Sequence, residues 1–269
     1  MIRYMSDNLP KRNPIPHGFV PNKALGQNFL SSESIIVSIL DEAQIDGKRV
    51  LEVGPGTGAL TEGLVERAAF VAAVEKDGRL CELLQKRFGE KLSLLHADVL
   101  DADIPTLMGT APWVAVGNLP YYATTPIVLR LLSLLPESMT LMVQKEAADR
   151  FFDQPKGRVY GPVSVLTQCF YQAKIVVNAP RGCFNPPPEV DSVVVRLARN
   201  KTEIDDTASF YHFVKQAFSM RRKTMYNVFQ RDDRLLAALD ALGLPADVRA
   251  EALTPETLLK LYQQINRTI

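Results

Sequence analysis

The sequence predicts an α/β fold in which a doubly wound, parallel β-sheet is followed by a small all-α domain. Short apolar runs alternate with helix-like segments from residue 49 to residue 152, as in such a sheet. A glycine-rich turn joins the first of these strands to its helix. Beyond Arg199 the pattern is helical. We therefore divide the chain into a mobile, mildly basic N-terminal arm, a sheet domain and a helical domain, residues 1–26, 27–199 and 200–269.

Each element rests on the spacing of its apolar residues. Ser31 or Ser32 caps a first helix, whose apolar stripe runs from Ile35 to Ala43. Mainly apolar runs predict strands over 50–53, 70–74, 92–97, 113–116, 138–143 and 193–197. Helices are predicted over 124–135 and 145–152, and a helix or a helix and strand over 161–178. In the last domain, Gly243 closes one helix, and Thr254 with Pro255 begins the final one.

Composition and charge are those of a globular protein without structural disulfides. The 269 residues are 46% hydrophobic and 23% charged, which allows a substantial core. The net charge is +1, and the basic excess lies in residues 1–30 and 199–269. These two terminal segments could bind a polyanion, or their charges could belong to an ordinary solvated surface. The three cysteines form no C-x-x-C pair, so neither a metal site nor a disulfide framework is indicated. Cysteines of this kind suit a reducing cytoplasm, which is the location we expect, and no apolar run approaches the roughly 18 residues that a membrane span needs.

The glycine-rich turn is a candidate ligand site. Glycines bring a ligand close to the backbone, and the helix that follows presents unpaired N–H groups. A dinucleotide fingerprint is present, with Ala59 in its last position and an acid, Glu75, 21 residues after the first glycine. The longer pattern, with an acid before the glycines, resembles motif I of S-adenosylmethionine-dependent methyltransferases. The turn alone leaves both cofactors, and a turn without any ligand, open. The four residues of the longer pattern are Glu52, Gly54, Gly56 and Gly58.

Polar or glycine positions recur at the ends of four successive predicted strands. In open α/β sheets ligands bind at that edge, so these positions are expected to meet around one ligand. Glu75 can accept hydrogen bonds from both ribose hydroxyls of an adenosine, and Asp98 can accept one from an adenine amino group. Alone, Asp98 would more often be a helix cap. We expect Glu52 near a methionine ammonium, or orienting the loop. The four positions, 20 to 23 residues apart, are Gly54, Glu75, Asp98 and Asn118.

The stretch Asn118-Leu119-Pro120-Tyr121 indicates the chemistry. An exocyclic aromatic amine is a poor nucleophile, because its lone pair is delocalised into the ring. Acceptors that bind both amino hydrogens, and a surface that aligns the base with a methyl donor, would overcome this. Asn118 Oδ1 and the Leu119 carbonyl can accept, Pro120 stiffens the turn, and the Tyr121 ring can stack on the base. Without a ligand, the same stretch would be a strand end with a packing tyrosine.

Two further stretches extend this motif into a family resemblance. Asn118–Tyr121 matches the N-x-P-[YF] motif of N6-adenine methyltransferases. Leu25–Leu30 reads LGQNFL, and Arg181–Val194 reads RGCFNPPPEVDSVV. With these three motifs in order, the sequence resembles the ribosomal RNA adenine N6,N6-dimethyltransferases from about Lys23 to the C-terminus, and their bacterial small-subunit branch most of all.

The resemblance implies a Rossmann-like methyltransferase domain and S-adenosylmethionine as cofactor. It also implies dimethylation of two adjacent adenosines in a hairpin loop near the 3′ end of small-subunit rRNA, on a pre-30S particle; we expect a monomer without a metal. Phe184 matches an aromatic that helps to clamp the target base, and the stiff run Pro186–Pro188 suggests that it projects from a rigid loop; the alternative is a residue of the core. The family usually has Asn and Ile where Tyr122 and Ala123 stand here, which bears on the base pocket. Residues matching the family's cofactor ligands are Asn28, Leu30, Gly54, Glu75, Asp98 and Asn118.

Amides and basic residues complete the predicted site. Gln27 and Asn28 stand at the entrance of the first helix, where their amides can bind a cofactor or tie up loop backbone. The basic cluster Arg221, Arg222 and Lys223 is flanked by aromatic residues and, with Lys23, is predicted to bind RNA phosphates; a solvated helix face is the alternative. Two other functions share many of these features: a large-subunit rRNA adenine methyltransferase of the antibiotic-resistance type, and a non-catalytic RNA-binding assembly factor.

Overall fold

The computed structural model describes residues 19–22, 25–200, 202, 204 and 206–267. Contacts group them into two compact units: a sheet unit, up to Ala147 and over Lys174–Ala198, and a helical unit, over Ala148–Ala173 and from Arg199 onwards. Residues 148–173 thus group with the helices, whereas the sequence-based division keeps them with the sheet. The division at 199/200 stays a prediction. Lys23 and most of the predicted arm lie outside the described residues.

The described part of the chain alternates strands and helices through the sheet unit and is helical afterwards. The strands are β1 Phe29–Leu30, β2 Arg49–Val53, β3 Phe70–Glu75, β4 Ser93–His96, β5 Trp113–Asn118, β6 Ser138–Gln144, β7 Tyr171–Ala179, β8 Phe184–Asn185 and β9 Ser192–Arg199. The helices are α1 Glu33–Ala43, α2 Thr61–Arg67, α3 Gly78–Phe88, α4 Ile104–Met108, α5 Thr124–Leu134, α6 Lys145–Phe152, α7 Pro162–Phe170, α8 Thr207–Ala217, α9 Met225–Val228, α10 Asp233–Ala241 and α11 Pro255–Arg267.

The main sheet has the strand order β4-β3-β2-β5-β6-β9-β7. The neighbours from β4 to β6 are parallel, as predicted. The predicted last strand, β9, departs from the parallel pattern, because it runs antiparallel to β6. Apolar patterning marks β9 as a buried strand but does not encode its direction, which depends on the path of the preceding chain. β1 and β8 form a separate two-stranded antiparallel ladder.

The core of the sheet unit forms where α1 packs against the sheet. The predicted stripe of α1 is confirmed: Ile35, Ile36, Ile39, Leu40 and Ala43 are buried and share one cluster with sheet residues. The sheet strands supply near-continuous apolar runs, as expected of strands covered on both faces. Burial of these side chains is what holds the strand ends, and the loops that follow them, in fixed positions.

Two local predictions fail: the side-chain cap of α1 by a serine, and the position of Phe184 in a loop. Ser32 stands at the N-cap of α1 but makes no capping bond, since its hydroxyl pairs with that of Ser34 at 3.1 Å. Ser31 donates from both N and Oγ to the Cys183 carbonyl, at 2.8 and 3.1 Å. Phe184 does not project from a loop: it lies in β8, is 3% exposed and belongs to the core cluster.

The helical unit is built around aromatic side chains. Phe210 packs edge-on against Phe170 and Tyr262, with ring centroids 5.9 and 5.3 Å apart. The predicted start of the last helix is confirmed, because Thr254 Oγ1 accepts a hydrogen bond from Thr257 N at 3.1 Å. Gly243, with φ of +63°, follows α10 in the left-handed conformation that terminates a helix, as predicted.

Candidate functional site

A cavity opens at the carboxyl ends of four neighbouring strands, β4, β3, β2 and β5. The register pairs Val53 with both Val74 and Gly117. The residues that follow these three lie at one level of the sheet, because parallel neighbours advance together. The structure therefore brings the four positions spaced by one βα unit to the lining of a single cavity: Gly54, Glu75, Asp98 and Asn118.

Most predicted cofactor and catalytic residues line this cavity, together with several that the sequence did not single out. Of the latter, Thr57, Lys76 and Val99 have no motif signal, Tyr122 stands out only as a departure from the family pattern, and Phe29 lies in the motif Leu25–Leu30 but has no predicted role. The predicted residues that line the cavity are Gln27, Asn28, Leu30, Glu52, Gly54, Gly56, Glu75, Asp98, Asn118, Leu119, Pro120 and Tyr121.

Two glycines of the turn are required by its backbone. Gly54 and Gly56 have φ of +67° and +59°, in the left-handed region that other residues rarely adopt. A Cβ atom on Gly56 would lie 3.1 Å from Cδ1 of Phe29, which lines the same cavity. The turn can therefore approach both Phe29 and a ligand only with glycine in place.

Gly58 has a different surrounding. It does not line the cavity, and a Cβ atom there would lie 2.8 Å from Cε2 of Phe88 and 3.3 Å from Cδ2 of Leu84, both on α3. Its φ is +89°. The geometry favours a packing role for the third glycine, so its cofactor role stays a prediction that this placement does not support.

We expect Gly58→Ala to lower the free energy of unfolding by about 2–4 kcal/mol, from backbone strain and the clash with Phe88. Donor affinity of the folded variant should change less than about threefold. Urea unfolding and calorimetric titration with S-adenosylmethionine measure the two effects. Gly47→Ala is a matched control, because Gly47 has φ of +70° and no atom within 4 Å of the added Cβ; it should lose about 1–2 kcal/mol. If Gly58→Ala bound S-adenosylmethionine ten times more weakly at unchanged stability, Gly58 would belong to the cofactor site.

Glu75 ties the glycine turn to the end of β3. Its two carboxylate oxygens accept hydrogen bonds from Gly56 N at 3.1 Å and Asp77 N at 2.9 Å. Burial raises the pKa of Glu75, although these backbone bonds lower it. A dinucleotide would need the turn N–H groups for its pyrophosphate, but the Gly56 N–H already points at a carboxylate, which repels phosphate. The occupied Gly56 N–H therefore argues against a pyrophosphate at this turn, and so against NAD.

Glu52 is a buried carboxyl beneath the turn. It is 1% exposed, and its Oε2 accepts a hydrogen bond from Thr61 Oγ1 at 2.7 Å. Burial raises the pKa of Glu52 to about 8; the Thr61 bond lowers it and the charge of Glu75 raises it further. Burial thus favours the neutral carboxyl, and a cation in the cavity would favour its charged form.

Asp98 has two partners, a backbone N–H group and a lysine side chain. Its Oδ1 accepts a hydrogen bond from Leu100 N at 2.9 Å, as a turn cap does. Its Oδ2 pairs with Lys76 Nζ at 2.8 Å, and this bond lowers the pKa of Asp98. Because the Lys76 side chain is 49% exposed, the ion pair is weak and Oδ2 can exchange it for a ligand donor.

The loop before β1 closes one side of the cavity. Gln27 Nε2 donates to Asp77 Oδ2 at 2.8 Å, and its Oε1 accepts from Asn22 N at 2.6 Å. Asn28 Nδ2 donates to the Gly26 carbonyl at 3.2 Å. Both amides thus hold loop backbone or α3 in place, which is the alternative considered for them, and their contact with a cofactor stays a prediction.

The motif after β5 presents two acceptors at the cavity. Asn118 Nδ2 donates to the Asn28 carbonyl at 3.0 Å, and this fixes the amide with Oδ1 as the remaining acceptor. Leu119 N donates to the Met142 carbonyl at 3.0 Å, while no described residue donates to the Leu119 carbonyl. The Pro120 carbonyl, in contrast, is taken by Ala123 N at 3.1 Å. Asn118 Oδ1 and Leu119 O are the pair that sequence reasoning selected.

The two predicted base-stacking aromatics differ in position. Tyr121 lines the cavity and shares a hydrogen bond of 2.6 Å with Ser192 Oγ. Burial raises the pKa of Tyr121. Phe184 does not line the cavity in this structure, because it packs in the core behind β1. Its role as a clamp on the target base stays a prediction without support from this placement.

The basic cluster lies in the helical unit, and its members differ. Arg221 donates from Nη2 to the Tyr160 carbonyl at 3.1 Å, and its Nε lies 3.7 Å from Glu251 Oε2. Arg222 and Lys223 are exposed and form no ion pair with any described residue.

Within the described chain every helix is too short or too polar to span a membrane. The same residues contain no His, Cys, Asp or Glu cluster placed to hold a metal ion.

The structure combines an α/β sheet, a glycine turn lined by acids, and two hydrogen-bond acceptors after β5. These features are those of the S-adenosylmethionine-dependent methyltransferases. The model of the family described as ribosomal RNA adenine dimethylase matches residues 18–267. The chain belongs to this family, whose cofactor is S-adenosylmethionine, and is an enzyme that methylates adenine in ribosomal RNA.

Relatives and solved structures agree with this assignment. The ribosomal RNA small subunit methyltransferase A of Streptococcus pneumoniae (strain P1031) is 39% identical over 266 residues, covering 91% of this chain and 92% of the relative. The protein of the same name from Listeria monocytogenes serotype 4b (strain CLIP80459) is 37% identical over 267 residues, covering 91% and 90%. A dimethyladenosine transferase structure from Plasmodium falciparum has a TM-score of 0.73 at 26% identity, covering 89% of this chain and 98% of its own. The 23S rRNA methyltransferase ErmE has a TM-score of 0.63 at 27% identity, covering 89% and 100%.

Proposed function

We propose that this enzyme dimethylates N6 of two adjacent adenosines in a hairpin loop near the 3′ end of small-subunit rRNA. The observation that carries this proposal is the acceptor pair of Asn118 and Leu119 at the rim of the donor cavity. The choice of subunit rests on the relatives: proteins named for the small subunit are 37–39% identical over nine-tenths of the chain, against 27% for the 23S enzyme.

The cavity residues fit S-adenosylmethionine by their hydrogen-bonding chemistry. This cofactor, when bound, supplies an electrophilic methyl group on a sulfonium. Glu75 would accept from its ribose hydroxyls, Asp98 from its adenine amino group, and Glu52 would face its ammonium. The left-handed glycines leave space for it beside the turn, since neither has a Cβ atom.

The motif residues would act on the adenine base. Asn118 Oδ1 and Leu119 O accept the two hydrogens of the exocyclic amine, which draws the nitrogen toward tetrahedral geometry and frees its lone pair. Tyr121 stacks on the base and holds it in line with the methyl group. The base must leave its stack to reach the cavity, so an unpaired loop is the expected substrate form. The nitrogen loses its proton readily after transfer, so these residues need not include a strong base.

The test is methylation of separated ribosomal subunits with labelled S-adenosylmethionine, followed by primer-extension mapping. We expect label in small-subunit rRNA, at two adjacent adenosines. Label in large-subunit rRNA would establish the resistance-type alternative. Donor binding without transfer to either subunit would identify a non-catalytic assembly factor. We further propose that the protein is a monomer that acts on pre-30S particles in the cytoplasm; light scattering of the purified protein tests the monomer.

The basic cluster offers phosphate contacts of unequal kinds. We expect Arg222→Ala with Lys223→Ala to weaken binding of an rRNA hairpin, and to lower the slope of log affinity against log salt by about 1.4. Filter binding at several salt concentrations measures this slope. Arg221→Ala should instead lower stability, because it removes the bonds to Tyr160 and Glu251. Lys86→Ala with Lys91→Ala, exposed cations of the sheet unit, is the charge-matched control; an equal loss of slope there would refute a specific contact by the cluster.

A further inference from the structure

One aromatic side chain of the cavity lining is largely exposed to solvent. Tyr122 lines the cavity and is 58% exposed. Its neighbour Tyr121 is half-buried and hydrogen-bonded to Ser192. Exposed large aromatic rings are otherwise rare in the described chain, where the next is Phe152 at 37%. Single exposed apolar side chains are common on protein surfaces, but Tyr122 is one that also lines the candidate cavity, where a ligand can cover its ring.

The backbone holds Tyr122 in place. It lies in a single 3-10 turn, Tyr121–Ala123, which is closed by Ala123 N donating to the Pro120 carbonyl at 3.1 Å. Gly26 has φ of +62°, and a Cβ atom there would lie 3.2 Å from Cδ1 of Tyr122. The ring therefore lies against the bare backbone of Gly26 on one side, while more than half of the residue's surface stays exposed. A ring held in this way loses little conformational entropy when it binds.

We propose that Tyr122 stacks on the nucleotide next to the target adenosine and so positions the RNA strand at the cavity. This inference rests on the proposed function. A base that leaves its stack to enter the cavity exposes a face of its neighbour, and an aromatic ring at the cavity mouth can cover that face. The donor site lies deeper: Glu75, at 7% exposure, is almost buried. Tyr122, at 58% exposure, lies at the outer part of the cavity lining, where an RNA strand arriving from solvent would meet it before the donor site.

The first test compares Tyr122→Ala and Tyr122→Phe with the wild type on small-subunit rRNA. Loss of one stacked base is expected to lower kcat/KM of Tyr122→Ala about 5- to 150-fold, mainly through KM for RNA. Tyr122→Phe should stay within about twofold, because the ring is what stacks. The control is Ile175→Ala, since Ile175 in β7 is 54% exposed in the same unit. Donor affinity, measured by calorimetry, should be the same in all four proteins.

The second test reads the stack directly. A hairpin with 2-aminopurine beside the target adenosine should be quenched on binding the wild type and stay bright with Tyr122→Ala, because stacking quenches this base. Equal kcat/KM for Tyr122→Ala and wild type would overturn the proposal, and so would donor binding weakened tenfold, which would make Tyr122 a cover for the donor. If the wild type methylates no adenosine, the proposed function fails first; the stacking proposal is still refuted or supported by the quenching of the bound hairpin.

Discussion

Replacing Asn118 by alanine is expected to lower kcat for methyl transfer at least about 100- to 1,000-fold, while donor affinity changes less than about tenfold. The large effect follows because Asn118 Oδ1 is one of two acceptors available to the adenine amine, and loss of one preorganised group costs about this much. The small effect follows because the lost bond from Nδ2 to the Asn28 carbonyl is a single neutral hydrogen bond. Single-turnover transfer with saturating donor, and calorimetric titration of the donor, measure the two quantities.

Two variants sharpen this experiment. Asn118→Asp keeps an acceptor but places a second oxygen about 3.0 Å from the Asn28 carbonyl, so it should retain more activity than alanine and bind the donor less well. Asn227→Ala, at an exposed asparagine of α9, should leave both quantities unchanged. Full transfer activity in Asn118→Ala would remove the acceptor assignment. A collapse of donor affinity in that variant would show that Asn118 holds the donor and not the base.

The rim of the site could be predicted from sequence because it depends on two regular features. Parallel strands advance together, so residues one βα unit apart reach the same edge, and Gly54, Glu75 and Asn118 do so. The choice of Asn118 Oδ1 and Leu119 O as acceptors came from chemistry alone. The structure supplies the reason that they are available, since Nδ2 and the Pro120 carbonyl have other partners.

The rest depended on contacts between distant parts of the chain, which local patterns do not record. Gly58 completes a glycine pattern, but Phe88 on α3 is what excludes a side chain there. Phe184 precedes a stiff proline run, yet its strand pairs with β1 and carries it into the core. The direction of β9 follows from the path of the chain. In each case the sequence identified a residue or a strand correctly, but its contacts depend on the tertiary structure.

One such contact joins the two ends of the site. Asn118, at the end of β5, donates to the carbonyl of Asn28, which directly precedes β1. Gln27 in turn donates to Asp77, at the start of α3, and burial of that carboxylate is offset by Arg79, which holds the pKa of Asp77 at about 2. The base-accepting motif, the loop before β1 and the helix after Glu75 thus form one chain of hydrogen bonds. Mutations in one site are expected to change the affinity of the other only slightly, because each link is one hydrogen bond, from Asn118 to a backbone carbonyl and from Gln27 to a carboxylate.

Glu75→Ala is expected to show the opposite pattern to Asn118→Ala. Donor affinity should fall about 100- to 1,000-fold, because the Gly56 and Asp77 N–H groups lose their acceptor, and the two hydrogen bonds that we propose from the ribose hydroxyls would be lost as well. At saturating donor, kcat should change less than about fivefold, since the acceptors for the adenine amine remain. Glu75→Gln should be nearly as weak, because its amide nitrogen must face one of those N–H groups. Glu66→Ala, at an exposed acid of α2, is the control. Unchanged donor affinity with lowered thermal stability would mean that Glu75 serves the turn alone, and the donor would then have to lie elsewhere along the rim.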